Sequence, residues 1–506
     1  MIPEKVISVQ LYNRLWLGYS FLFIMLWHYA SQGLSFWDDF SYLSLANDIN
    51  TGEFEITTNH FTSRITLLYP VAFFIKYLGI NEYGVTIFPL LCGLALLNLI
   101  LWMGHSINRW IGIIGGAFFV CDYHMIYFSN HLFPELPMAL LIFLVIMSYY
   151  LVLKGEMVPR MAGLIAALGL FGAFLTKTTV VLILPLLLFL FILDRRRRHN
   201  GSFWLVFISL SIFFFFINGF WYLEVKGSFF YRFQNIADNH VATAKSFFDK
   251  GAGTILARLT YLPLLGFLKG GFFIPLLLSL PAMVKLKRAH FMLEKAEHLW
   301  PVASLFLIVA FWFFSTSWRY YSPLPTDPRH IVFFIPVFIM TAATFWPEQK
   351  QFVLLKKKSL RFAAVLFALA IPAYALFSVD KKNFWDEEKL VEQFLVGDER
   401  AQIVITDGLT TYGYSYYYQF QNTSDEYYWF SELTEAQLDA ILAEERPIYL
   451  LINSAFFHEG YNDTKNLDQV KASIAERGIS IWPEEGIGGG EVKIFFIKEP
   501  LYNQEQ

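Results

Sequence analysis

The chain has 506 residues, of which 56% are hydrophobic, 19% aromatic and only 16% charged, whereas soluble proteins run near a quarter charged, so this composition demands a lipid solvent. A formal net charge of −3 argues against the nucleic-acid partners that require a strongly basic face. The two cysteines, Cys92 and Cys121, both fall in apolar runs, which predicts neither a disulfide framework nor a cysteine metal site.

A bilayer span needs about 20 mostly apolar residues. The first such run, Leu15 to Gly33, follows Arg14 and lacks a clear small-residue cleavage site, so it reads as a retained span rather than a signal peptide. Further windows lie near Tyr83 to Met103, Trp110 to Tyr127, Pro134 to Leu153, Met161 to Thr176, Thr178 to Leu193 and Phe203 to Leu223. Four more follow at Tyr261 to Val284, Leu299 to Ser315, Ile331 to Trp346 and Phe362 to Phe377, making eleven. With eleven spans the basic clusters Arg195 to Arg198, Lys285 to Arg288 and Lys356 to Arg361 fall on one side, the cytoplasmic one by the positive-inside rule. The N-terminus is then cytoplasmic and the C-terminus lies outside; these basic runs read as topology determinants rather than catalytic parts.

After residue 378 the composition becomes that of a soluble domain. The expected division is a membrane domain over 1–378 and an outer α/β domain over 379–506. Gln402 to Thr406, Pro447 to Ile452 and Glu491 to Ile497 read as strands, and Thr434 to Leu442 and Leu467 to Arg477 have helical spacing. The Gly486 to Gly490 run lacks the strand-to-helix context of a nucleotide loop and reads as a hairpin or linker.

The polar residues on the outer side carry the chemistry. Asp38 and Asp39, followed by Tyr42, stand just beyond the first span, where a carboxylate can take the proton of an attacking hydroxyl. Arg64 precedes an apolar stretch, Ile65 to Tyr77, that reads as an interfacial helix. Glu135 opens a span, where the helix dipole favours a carboxylate. Lys177 sits between two apolar segments, at a cost of about 2.5–3.5 kcal/mol if unpaired at the bilayer centre, so a phosphate or carboxylate partner is expected. Arg329 and His330 follow Pro323, Pro325 and Pro328 and open the tenth span. Arg64, Lys177 and Arg329 are therefore candidates to hold a phosphate anion. Histidines 60, 124, 131 and 240 show no close metal spacing, which leaves a divalent metal open and unsupported, and no cofactor is expected with certainty.

This combination resembles the GT-C glycosyltransferases, in particular the group of protein O-mannosyltransferases and lipid A aminoarabinose transferases, over about residues 10 to 350. That group opens its first outer loop with an Asp-Glu pair followed three residues later by Tyr, matched here by Asp38, Asp39 and Tyr42 with Asp in place of Glu. Arg64, the Ser129 to Glu135 stretch, Leu175-Thr176-Lys177 and Arg329-His330 resemble the group's later motifs, with His330 where Tyr is usual. The resemblance implies an inverting transferase in the bacterial inner membrane. Its donor would be a polyprenyl-phosphate-linked monosaccharide, and its acceptor a lipid, a glycan or a protein on the periplasmic face. Asp38 would be its base. A transporter or flippase of a lipid-linked sugar is the alternative. It would spread charge through the membrane depth, whereas here charge gathers at the outer ends of spans.

Overall fold

A computed structural model describes residues 8–345 apart from 31–33, 35–36, 237, 239–251, 270–272, 316–322, 325 and 327. It also describes 403–498 apart from 408–425, 431, 445, 454–462 and 484–491. The chain forms two compact units, Met1–Ser31 with Leu45–Asp380 and Gln32–Ser44 with Lys381–Gln506.

In lipid an apolar segment satisfies its backbone by helical hydrogen bonds, and the first unit is helical throughout its described residues. In order, its principal helices after α1 (Val9–Tyr29) and α2 (Trp37–Thr51), the latter shared with the second unit, are α3 (Ile65–Leu78), α4 (Glu82–Ile107), α5 (Arg109–Val120) and α6 (Tyr123–Ser129). There follow α7 (Glu135–Lys154), α8 (Pro159–Thr176), α9 (Leu184–Arg197) and α10 (Gly201–Lys226). Then come α11 (Ala252–Thr260), α12 (Leu262–Lys269), α13 (Phe273–Val284), α14 (Leu299–Phe313) and α15 (Ile335–Phe345).

Among the described residues six helical segments are long and apolar enough to cross a membrane: Tyr83–Ile107, Glu135–Lys154, Pro159–Thr176, Thr178–Arg197, Gly201–Lys226 and Ala296–Phe313. A seventh arises if α5 and α6 form one span. Of the eleven expected windows, the last, Phe362 to Phe377, lies outside the described residues. One window is broken where capping chemistry restarts a helix. The Trp110 to Tyr127 window bends by 61° between α5 and α6, because the Asp122 carboxylate accepts from Met125 N at 3.1 Å and caps α6. The Tyr261 to Val284 window carries α12 and α13, each with a proline in its first turn, Pro263 and Pro275, a position that suits a helix start; residues 270–272 between them lie outside the described residues.

The most enclosed span is α7, 78% buried, while α10 is only 28% buried and turns Phe213, Phe216 and Phe220 outward. Between them α8 presents small residues, with Ala162, Ala166, Ala167 and Ala173 all buried. Gly163 allows the closest approach, since a Cβ there would stand 2.6 Å from the carbonyl oxygen of Phe203 on α10. Close backbone contact of this kind is the main source of helix association in lipid.

The second unit contains a five-stranded sheet of β1 (Ile403–Thr406), β2 (Glu426–Trp429), β3 (Ile448–Asn453), β4 (Trp482–Pro483) and β5 (Val492–Lys498). The order is β2-β1-β3-β5-β4; β1 runs parallel to β2 and β3, and β5 runs antiparallel to β3 and β4. Its core joins Ile403, Ile405 and Leu450 to Leu438 and Ile474 of the helices Glu435–Ala443 and Asp463–Glu476. The Gly486 to Gly490 run lies outside the described residues.

Replacing Gly163 by Leu forces α8 away from α10 and should cost about 1–3 kcal/mol, read as a lowered thermal midpoint in detergent. Leu in place of the solvent-open Gly155, which meets nothing at its Cβ position, tests only its left-handed backbone (φ 74°) and should give a smaller loss.

Candidate active site

The α8 helix ends at Thr176 and Lys177 takes an extended conformation, φ −158° and ψ 135°. The next residues, Thr178–Ile183, form a 3-10 turn that leads into α9. This break aims the Lys177 side chain inward, where only 11% of it is exposed. A lysine enclosed by apolar helices needs a partner, and of the phosphate or carboxylate expected from the sequence the structure supplies a carboxylate. Lys177 Nζ donates to Glu135 Oε1 in a short ion pair, and Glu135 is 1% exposed.

Glu135 is the first residue of α7, after Pro134, so the helix N-terminus also stabilises its charge. Its second oxygen, Oε2, is buried and meets no hydrogen-bond donor among the described residues. Lys177 Nζ also lies within hydrogen-bond distance of His330 Nδ1, at 3.3 Å. His330 is buried and follows Arg329 in the 3-10 turn Pro328–His330. The charges of Arg64 and Arg329 reach Lys177 as well.

Arg64 stands between the 3-10 turn His60–Ser63 and α3, with its guanidinium 4.6 Å from the centre of the Phe61 ring. Its turn is closed by local bonds: Asn59 caps it through Phe61 N at 3.0 Å, and Thr62 Oγ1 donates to Asn59 O at 2.8 Å. One turn along, Thr66 Oγ1 lies 2.6 Å from Thr176 Oγ1 and donates to Gly172 O at 3.1 Å. That hydroxyl pair ties the start of α3 to the end of α8, and so sets Arg64 beside Lys177.

The structure therefore brings together Arg64, Glu135, Lys177, Arg329 and His330. Asp38, Asp39 and Tyr42 lie on the first turns of α2, in the segment Gln32–Ser44 of the other unit. Asp39 and Tyr42 are buried and Asp38 is half-buried. Among the described residues no three His, Cys, Asp or Glu side chains are grouped to hold a metal ion.

Sequence reasoning passed over Thr66 and Arg232. Arg232 is buried and donates to the carbonyl oxygens of Ser63, at 3.1 Å, and Phe174. A lone cation in Phe229-Phe230-Tyr231-Arg232-Phe233 was the available signal.

The helical unit, with its interhelical ion pair and flanking arginines, and the small α/β unit together describe a polytopic membrane protein. Two crystal structures of ArnT from Cupriavidus metallidurans share its fold. The apo form aligns with a TM-score of 0.56 at 11% identity, covering 95% of this chain and 98% of that one. The form bound to undecaprenyl phosphate aligns with a TM-score of 0.57 at 12% identity, covering 97% and 99%. No family model matches the sequence, and no curated protein matches it. The resemblance drawn from sequence motifs thus holds at the level of the fold.

Removing one member of the buried pair strands the other charge, so Lys177→Met or Glu135→Leu alone should destabilise by about 3–5 kcal/mol. The double replacement should recover much of that loss. Thermal unfolding of the four forms in detergent checks it, and additive losses would contradict the pairing.

Proposed function

We propose that this protein is a glycosyltransferase that moves a monosaccharide from a polyprenyl-phosphate carrier to a lipid, glycan or protein acceptor. Its place would be the periplasmic face of a bacterial inner membrane, with the N-terminus cytoplasmic. The observation that carries the reading is the cationic cluster around Lys177, built into a fold whose solved example, ArnT, binds undecaprenyl phosphate. A leaving phosphate is already an anion, so the reaction needs fixed positive charge more than an acid. Arg64, Lys177 and Arg329 supply that charge, and buried Glu135 keeps Lys177 oriented.

In the reaction the acceptor oxygen attacks the anomeric carbon, the bond from that carbon to the phosphate oxygen breaks, and polyprenyl phosphate departs with the electron pair. The acceptor proton passes to a carboxylate of the α2 pair. Asp38, the more exposed of the two, is the assigned base, with Asp39 and Tyr42 as its support. A single displacement inverts the anomeric configuration. Glu135 Oε2 is a buried acceptor that a hydroxyl or amino group of the donor sugar can satisfy.

The carrier's tail needs an apolar path. An open groove of about 540 Å³ is lined by Pro70, Phe73 and Phe74 of α3 with Phe88, Leu91 and Leu140. At 1.5 Å rise per residue, Pro70 lies about 9 Å along α3 from Arg64, so one helix carries both a phosphate-binding cation and a wall for the chain.

Purified protein with radiolabelled polyprenyl-phosphate sugars and a membrane lipid extract should release label from the carrier. Asp38→Ala should abolish release without loss of expression. Carrier left intact by the wild type with every sugar would favour transport of the lipid-linked sugar instead.

A further inference from the structure

Arg232 follows α10 and is almost fully buried, at 2% exposure, with its guanidinium 4.4 Å from the centre of the Phe174 ring. One nitrogen, Nη1, donates to Ser63 O at 3.1 Å, and the other, Nη2, donates to Phe174 O. Ser63 immediately precedes Arg64, and Phe174 stands one turn before Lys177. Two neighbours strengthen the first attachment: Tyr231 Oη donates to Thr57 O at 3.0 Å and Asn235 Nδ2 to the same oxygen at 3.3 Å.

We infer that Arg232 is a positioning residue, a clasp that holds the Thr57 to Arg64 turn against the end of α8 so that Arg64 and Lys177 converge on one phosphate. The inference rests on the transferase reading for the identity of that phosphate, while the clasp itself rests on the bonds just given. Backbone carbonyls are weak reasons to bury a full charge, and among the described residues the phenol of Tyr222 is a further polar group beside it. Burial pulls the guanidinium down to about 10, so it stays charged at neutral pH. The geometry calls for arginine specifically, because one planar fork reaches two oxygens on two different elements while lying flat on an aromatic ring. Lysine brings the same charge as a single point and cannot span both.

The test compares wild type with Arg232→Lys in full-length protein, by hydrogen exchange without lipid and by binding of undecaprenyl phosphate in nanodiscs. Exchange should quicken at residues 57–64 and 172–177 together. Affinity for undecaprenyl phosphate should fall about tenfold or more, and kcat should drop about 10²-fold as the phosphate site loosens. The thermal midpoint should stay close to that of the wild type. Unchanged exchange in both segments overturns the clasp, and weaker binding with unchanged exchange assigns Arg232 to the ligand directly and overturns it too. If Arg232→Lys does not fold, Tyr231→Phe removes one bond to Thr57 and should quicken exchange in 57–64 alone; no change there also overturns the proposal. A wild type that ignores undecaprenyl phosphate while exchange still responds to Arg232→Lys removes the carrier reading and leaves the clasp standing.

Discussion

The ion pair between Lys177 and Glu135 is the constraint around which the membrane unit is arranged. Neither residue is tolerable alone where it sits, since each is almost fully enclosed and an isolated buried charge costs several kcal/mol. To meet, α8 must end at Thr176 and α7 must begin at Glu135, so the ends of two spans are fixed to the same level. Replacement of both by apolar residues should cost far less stability than loss of either one. A charged pair with one buried carboxylate oxygen unmatched among the described residues is what the proposed site reading requires.

The pair also explains why the surrounding residues are cationic and why they are held by the backbone. Arg64 reaches Lys177 through its field, and its turn is closed by Asn59, Thr62 and Ser63 before any ligand arrives. Thr66 and Thr176 then join α3 to α8 by a hydroxyl bridge. Like charges brought together repel, so local bonds are needed to hold these cations in place. On the proposed transferase reading those bonds need no reorganisation when a phosphate enters, which is the condition for strong electrostatic stabilisation of a leaving group.

Much of this was legible in the sequence because lipid imposes simple rules. Apolar runs gave the helices, and a lysine stranded between two of them at Lys177 announced a helix break and an anionic partner, a phosphate or a carboxylate. The interfacial helix after Arg64 and the three principal strands of the second unit were likewise written in local pattern. What was not legible depends on single capping contacts or on residues distant in sequence. Asp122 looked like one polar residue inside a span, yet its cap on Met125 N divides that span in two. The two-residue β4 strand exists only through its pairing with β5. Arg232 gave no motif because its partners, Ser63 O and Phe174 O, are backbone atoms 169 and 58 residues away.

The central claim is that the Lys177 cluster recognises a lipid-borne phosphate. The most direct measurement is equilibrium binding of undecaprenyl phosphate and of uncharged undecaprenol to the full-length protein in nanodiscs. The account predicts that the phosphate binds far more tightly than the alcohol, and that Arg64→Gln removes most of the difference while leaving the alcohol unaffected. Equal binding of the two lipids would contradict it.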